Sequence, residues 1–283
     1  MPKIILARTS GFCMGVKRAM QIAMQTAAKA PGRVFTSGPL IHNPQAVDYL
    51  RQNGVGTVKD WHSVKNGTII IRAHGMPAGQ IKEIAAQGLE IVDATCPHVV
   101  TSQRQIKNYS EKGYYIYIIG DPDHPEILSL QSFATAHEVI AGEEQARQVS
   151  HRPKIMVIGQ TTFNEDEFNS IAAILKSRAD EAVICDSICQ ATSERQQEIR
   201  KLAANADAVV IVGGKSSANT RRLAEIAAGL CPRTFLVETE AELNLEDFAG
   251  CETIAVSAGA STPDFITRKV IDFLDRLNAK TPA

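Results

Sequence analysis

Three cysteines, Cys13, Cys96 and Cys189, recur in one local design: an apolar run, a short polar turn, the cysteine, then a helical stretch. The segments are IILARTSGFCMGVKRAMQIA (4–23), LEIVDATCPHVVTSQRQIKNY (89–109) and AVICDSICQATSERQQEIRKL (182–202). They stand about 80 to 95 residues apart, roughly one small α/β domain each. A cysteine that opens a helix faces free N–H groups and the positive end of the helix dipole, which favour the thiolate. Pro97, directly after Cys96, suits the first helical position, where its missing N–H costs nothing. Three thiolates from three places suit a soft metal centre. Four normally hold a 4Fe-4S cluster. Three would leave one iron open to a substrate oxygen, adding Lewis acidity to electron relay. Taken singly, each cysteine reads more readily as a small buried hydrophobe; the threefold repetition brings the ligand reading level with it. Cys185, Cys231 and Cys251 lack the placement and read as packing residues. Cys185, only four positions before Cys189, is its rival.

Other reactive side chains cluster after apolar runs. His42, His74 and His124 each follow one, and an imidazole there can donate to a phosphate or bind a metal. Glu126 follows His124 in HPE; a carboxyl set in a desolvated centre becomes a proton donor with a raised pKa. Thr161 and Thr162 can relay a proton or orient that carboxyl. Ser217, Asn219 and Ser261 offer short donors suited to phosphate oxygens. Turn formation and helix capping explain the same residue types, and one side chain can serve both ends. His62, His98, His137 and His151 fall in helical or loop contexts and carry no site.

The elements that must position these groups are short runs rich in Ile and Val: 3–7, 33–36, 68–73, 89–94, 114–119, 154–158, 181–186, 207–212, 233–237 and 253–257. They barely alternate, as strands covered on both faces do in parallel sheets. Amphipathic helices lie between them; Val16, Ala19, Met20, Ala23 and Ala27 form one apolar stripe. The fold class is α/β. Each interval between cysteines contains two further strands ending in polar turns. The last set lacks a cysteine-bearing strand and can gain it only from the amino terminus. We therefore expect three similar small α/β domains with mostly parallel sheets in a pseudo-threefold, trefoil arrangement around a central site. The boundaries are 14–96, 97–185 and 186–283, the last completed by strand 1–13. In open parallel sheets ligands sit beyond the carboxyl ends of strands, where every candidate above falls.

Composition narrows the function. The 283 residues are long enough for a divided core. Lys and Arg total 30 against 31 Asp and Glu, a net charge of −1, which argues against sequence-independent nucleic-acid binding. No apolar run nears the ~18 residues of a membrane helix, and the amino terminus lacks a signal-peptide pattern, so the expected compartment is the cytoplasm. There, cysteines serve as thiols, ligands or nucleophiles more often than as disulfides. GGKSS is no P-loop, because Val209 stands where the first glycine is needed. GFCMG is no dinucleotide fingerprint, and no HExxH or paired CxxC is present.

The motifs GFCMGVKRA (11–19), GPLIHNP (38–44), AHGMP (73–77), VDATCP (92–97), HPE (124–126), GQTT (159–162), ICQATSERQ (188–196), GGKSSANTRRLAE (213–225) and SAGASTPD (257–264) together resemble the IspH/LytB family. These are 4-hydroxy-3-methylbut-2-enyl diphosphate reductases, which end the methylerythritol phosphate route to isoprenoids. The resemblance runs in order along nearly the whole chain. It implies a trefoil around one oxygen-sensitive 4Fe-4S cluster held by Cys13, Cys96 and Cys189. It places His42, His74, His124, Thr161, Ser217, Asn219 and Ser261 around the diphosphate. It gives proton delivery to Glu126 with Thr161 and His124, and implies an external electron donor such as a ferredoxin or flavodoxin. One departure is Ala218 where the family often has a second serine. Two other readings predict different behaviour. A zinc hydrolase or lyase would be colourless and need no reductant. A non-catalytic iron–sulfur sensor would have no use for Glu126, Thr161 and a ring of phosphate donors.

Overall fold

The computed structural model describes residues 1–30 and 33–279. Among the described residues, twelve strands follow in chain order: β1 Lys3–Leu6, β2 Val34–Ser37, β3 Val55–Val58, β4 Thr68–Ile71, β5 Glu90–Asp93, β6 Tyr115–Ile119, β7 His137–Ile140, β8 Arg152–Gly159, β9 Ala179–Ile184, β10 Ala208–Val212, β11 Thr234–Val237 and β12 Thr253–Ala258. The helices between them are α1 Met14–Lys29, α2 Pro44–Gln52, α3 Ala78–Ala86, α4 Pro97–Glu111, α5 Pro125–Gln131, α6 Glu143–Gln148, α7 Glu165–Lys176, α8 Gln190–Ala203, α9 Ala218–Ala228, α10 Asp264–Leu274 and α11 Arg276–Ala279. Among the described residues, no helix is long and apolar enough to cross a membrane.

Three four-stranded sheets result, and every strand pairing in them is parallel. Their orders are β3-β2-β4-β5, β7-β6-β8-β9 and β11-β10-β12-β1. Each reads second, first, third, fourth; the fourth strand of the last sheet is β1, whose Ile4 and Ile5 register with Ile254 and Ala255. The chain forms two compact units. One comprises Met1–Met14, His42–Asp48 and the chain from Gln190, and contains the β11-β10-β12-β1 sheet. The other comprises Gly15–Ile41 and Tyr49–Cys189, and contains the other two sheets.

Helices on both faces explain the unbroken apolar strands. In β6, Ile116 and Ile118 pack with Ile106, Ile127 and Leu130 on one face. Tyr117 and Ile119 pack with Phe168, Ile171 and Leu175 on the other. In β10, Val210 and Val212 join Ile254, Val256 and Val270, while Val209 and Ile211 join Ile199, Leu223 and Ala255. Two strands escape the sequence pattern, β3 (VGTV) and β7 (HEVI). Both are four-residue sheet edges, where polar residues are tolerated and apolar runs are not required. His137, expected in a loop or helix, opens β7.

The two-sided cores set a contrast in stability. Ile211, fully buried in the middle of β10, should cost about 3 kcal/mol or more when cut to Ala. Leu6, 43 % exposed at the end of β1, should cost less than about 1 kcal/mol. Urea unfolding of the two variants beside the parent chain measures the difference.

Candidate active site

The larger unit assembles a buried acid. Glu126 lies in the first turn of α5, only 1 % exposed. Its Oε1 accepts a hydrogen bond from the Thr161 backbone N–H at 2.6 Å, and its Oε2 accepts from Thr161 Oγ1 at 2.9 Å. Loss of water around the carboxyl raises its pKa to about 7, against the opposing pull of the two Thr161 donors. The backbone places Thr161 two residues past β8, where its carbonyl accepts the N–H of Cys189 at 3.0 Å. One residue thus spans the acid and a cysteine. Thr162 does not share this role: its hydroxyl accepts from Gln160 Nε2 at 3.0 Å. Gln160, 1 % exposed, also accepts the Asp121 N–H on Oε1 and so ties the loop after β6 to the loop after β8. Thr161 and Thr162 beside it are candidates by residue type, whereas a lone glutamine carries no such mark.

His124 caps α5, its Nδ1 accepting the Glu126 N–H at 3.2 Å. In the neutral ring the proton then resides on Nε2, which becomes a donor. The His74 and His124 rings meet edge to face, centroids 5.3 Å apart at 88°. His74 follows β4 on a loop fixed by Gly75, whose φ of +78° suits glycine. A Cβ there would stand 2.7 Å from Ser129 Oγ and 2.8 Å from Gln103 Nε2. Gln103 donates to Ser129 Oγ at 2.9 Å, and Ser129 donates to the Met76 carbonyl at 3.2 Å. Helices α4 and α5 thereby clasp the His74 loop.

In the smaller unit, Ser217 caps α9 through the Thr220 N–H. Ser261 Oγ lies 3.3 Å from the His42 carbonyl and 3.5 Å from Ser217 Oγ. Ser217, Asn219 and Ser261 are all buried. Among the described residues, neither amide atom of Asn219 has a hydrogen-bond partner, a costly state for a buried amide unless a ligand completes it. Gly214 lets the His42 segment approach: a Cβ there would stand 2.4 Å from the His42 carbonyl oxygen.

The cysteines share one register. Each of Cys13, Cys96 and Cys189 directly precedes a helix, α1, α4 or α8. Each backbone N–H bonds the carbonyl two residues past the third strand of its own sheet: Cys96 to Ala73 at 2.9 Å, Cys189 to Thr161 at 3.0 Å, Cys13 to Ala260 at 3.1 Å. All three side chains are partly exposed and none is in a disulfide, whereas Cys185, Cys231 and Cys251 are buried. Cys185 instead continues the β9 ladder to Val157 and packs with Ile116, Ile118 and Met156; burial pushes its thiol pKa up. Three reachable thiols at helix N-termini make a donor set that fits a thiolate-held iron–sulfur cluster.

A family model described as LytB protein matches residues 4–275. The chain belongs to the LytB family. Among similar LytB relatives, the 4-hydroxy-3-methylbut-2-enyl diphosphate reductase of Trichlorobacter lovleyi is 44 % identical over 277 residues, 98 % of this chain and 99 % of that one. The reductase of the same name from Pelobacter propionicus is 42 % identical over 279 residues, with 98 % and 99 % covered. A solved (E)-4-hydroxy-3-methyl-but-2-enyl diphosphate reductase, called the terminal enzyme of the non-mevalonate pathway, is 35 % identical. It aligns over 98 % of this chain and all of its own with a TM-score of 0.69. The E-1-hydroxy-2-methyl-but-2-enyl-4-diphosphate reductase from Plasmodium falciparum is 26 % identical, covers 97 % and 88 %, and gives a TM-score of 0.90.

The buried acid of this LytB-family chain has a consequence for stability. Below about pH 4.5 Glu126 is protonated both folded and unfolded, and its contribution is intact. Between there and about pH 7 the unfolded chain ionises while the folded site holds its proton, so stability falls; above about 7 the loss is complete. Glu126→Gln removes this titration. Relative to the parent, the variant should gain roughly 3 kcal/mol between pH 4.5 and 8, read from urea unfolding of both apoproteins across that range.

Proposed function

We propose that this chain performs the reductive dehydroxylation of (E)-4-hydroxy-3-methylbut-2-enyl diphosphate to isopentenyl and dimethylallyl diphosphate, the last step of the methylerythritol phosphate pathway. The reading assigns Cys13, Cys96 and Cys189 to one 4Fe-4S cluster, and is supported by their common backbone register and exposure. It takes 14–96, 97–185 and 186–283 with 1–13 as three domains. When bound, such a cluster supplies electrons and an open, Lewis-acidic iron site that favours departure of the allylic hydroxyl.

The protein's own groups do the rest. His42, His74, His124, Ser217, Asn219 and Ser261 hold the diphosphate; the unsatisfied Asn219 amide is the strongest single support for that pocket. Holding the anion orients the allylic end and converts encounter into position. The reaction breaks one C–O bond, consumes two electrons and two protons, and releases water. Hydroxide leaves poorly, so a proton must reach the oxygen as the bond breaks. Glu126 is that donor, and its pairing with Thr161 is the observation that carries the proposal. Oε1 is committed to a backbone N–H, which can only donate, so the acidic proton belongs on Oε2. Oε2 faces the Thr161 hydroxyl, which both donates and accepts and can pass the proton onward. A pKa of about 7 keeps a large protonated fraction at neutral pH while leaving the acid strong enough to give the proton up. His124 orients the acid through its bond to the Glu126 N–H. The second proton adds at either end of the allylic fragment, giving the two products. Electrons come from a separate reducing protein, a ferredoxin or flavodoxin, in the cytoplasm.

Anaerobic purification with iron and sulfide counts, a visible spectrum and turnover with a chemical reductant tests the reading. Cys13→Ser, Cys96→Ser and Cys189→Ser should each lose most of the iron, while Cys185→Ser keeps it; equal loss in the last two overturns the assignment of the third ligand. Glu126→Gln should retain the cluster and bind substrate, yet lose about 10²-fold or more in turnover. In the parent enzyme turnover should decline as pH rises through about 7, following loss of the acid form. A colourless, zinc-containing protein that needs no reductant would overturn the whole assignment.

A further inference from the structure

Two arginines on helices that begin at candidate ligand cysteines reach back to the loops that deliver others. Arg18, on α1 after Cys13, donates from Nη1 to the Thr95 carbonyl at 3.0 Å, one residue before Cys96. Arg195, on α8 after Cys189 and 6 % exposed, donates from Nη2 to the Gly11 carbonyl at 2.8 Å, two residues before Cys13. Its Nη1 donates to Ala191 in its own helix at 2.8 Å, which braces the guanidinium. Helix α8 grips the same loop again. Glu198 accepts from the backbone N–H groups of Arg8 and Thr9 at 2.8 and 2.9 Å, and from Thr9 Oγ1 at 2.6 Å. We propose that Arg18 and Arg195 are positioning residues that brace the ligand loops of Cys96 and Cys13.

The chemistry suits the task. A guanidinium is long, forked, permanently charged and donor-only, so it can satisfy loop carbonyls without drawing on the loop's own N–H donors. The loops need bracing because they run outside the sheet ladders: Cys13 lies seven residues past β1, and Cys96 three past β5. Each ladder continues by one backbone bond, from Ala7 to Val256 and from Ala94 to Ile71, and Asp93 accepts from the Thr95 N–H and hydroxyl; the arginines act on the carbonyls of Gly11 and Thr95 beyond those ladder bonds. The third loop is braced differently, by Ser187 Oγ accepting the Gly159 N–H at 2.7 Å. On α4, Thr101 and Ser102 occupy positions like those of the arginines, but their hydroxyls turn back to the Pro97 and His98 carbonyls.

The proposal rests on the reading that these cysteines hold the cluster, and hydrogen exchange on the apoprotein separates the two. Arg195→Gln should speed exchange in residues 8–13 by about tenfold or more and leave 92–97 unchanged. Arg18→Gln should do the reverse. Lys201→Gln, exposed on α8, should change neither. After reconstitution, Arg195→Gln and Arg18→Gln should show a shifted midpoint potential and faster cluster loss in air. Arg195→Lys, with one nitrogen for two carbonyls, should fall between parent and Gln variant, and serves if the Gln variant does not fold. Equal acceleration in both loops, or none, overturns the proposal. A parent chain that takes up no iron would instead sink the cluster reading and leave the exchange pattern standing.

Discussion

A single backbone hydrogen bond, made three times, sets the geometry on which the rest of the structure depends. The N–H that opens each cysteine-led helix is held by the carbonyl two residues beyond the adjacent third strand. This contact lies past the regular ladder, so it fixes the loop rather than the sheet. It also holds the N-terminus of the following helix at a constant offset from the strand ends. The thiol therefore enters each site with the helix dipole behind it, whatever the loop length. Those lengths differ, with Cys96, Cys189 and Cys13 lying three, five and seven residues past their strands, yet the bond is the same. Different side chains absorb the difference: Ser187 in one loop, arginines in the others.

In the sheet that carries the acid, the same contact joins a cysteine-led helix and the buried carboxyl at one residue. Thr161 gives its carbonyl to Cys189 and both its donors to Glu126. A movement of the Cys189 loop is therefore transmitted to the carboxyl without an intervening side chain. The energetics run in opposition. Burial raises the pKa of Glu126 while the two donors lower it, and burial dominates. A cationic neighbour would instead favour the ionised form.

Much of this was legible in the residues before any coordinates. Strands covered on both faces have no alternation to hide, so ten of the twelve stood out as apolar runs. β3 and β7 did not, because an edge strand keeps its pairing through backbone bonds and can carry Gly56, Thr57, His137 or Glu138. Cys13, Cys96 and Cys189 were separable by repetition; the choice between Cys185 and Cys189 became physical only with the register, since one continues a ladder in an apolar core and the other opens a helix. Gln160, Gln103, Ser129, Arg18 and Arg195 were not legible as a set. Their work is done through backbone carbonyls and one another across long sequence separations, and residue type alone carries no trace of such partners.

The asymmetry of each sheet explains why the reactive groups gather where they do. Strands β3, β7 and β11 lead into Lys59-Asp60, Ala141-Gly142 and Glu238-Thr239, and none of these is a candidate site residue. The opposite edges, β5, β9 and β1, each deliver a cysteine, and the two central strands deliver the histidines, the acid and the hydroxyls. The parallel order second-first-third-fourth makes the site one-sided by construction, because all carboxyl ends point the same way and the fourth strand's loop lies beside the third strand's. Desolvated polar groups such as Glu126 and Asn219 destabilise the fold, and they are tolerated at strand ends because the strands below them contribute uninterrupted apolar burial on both faces. Stability and chemistry are thereby assigned to different heights of the same sheets, which lets loop lengths and side chains at the carboxyl ends vary without disturbing the cores beneath.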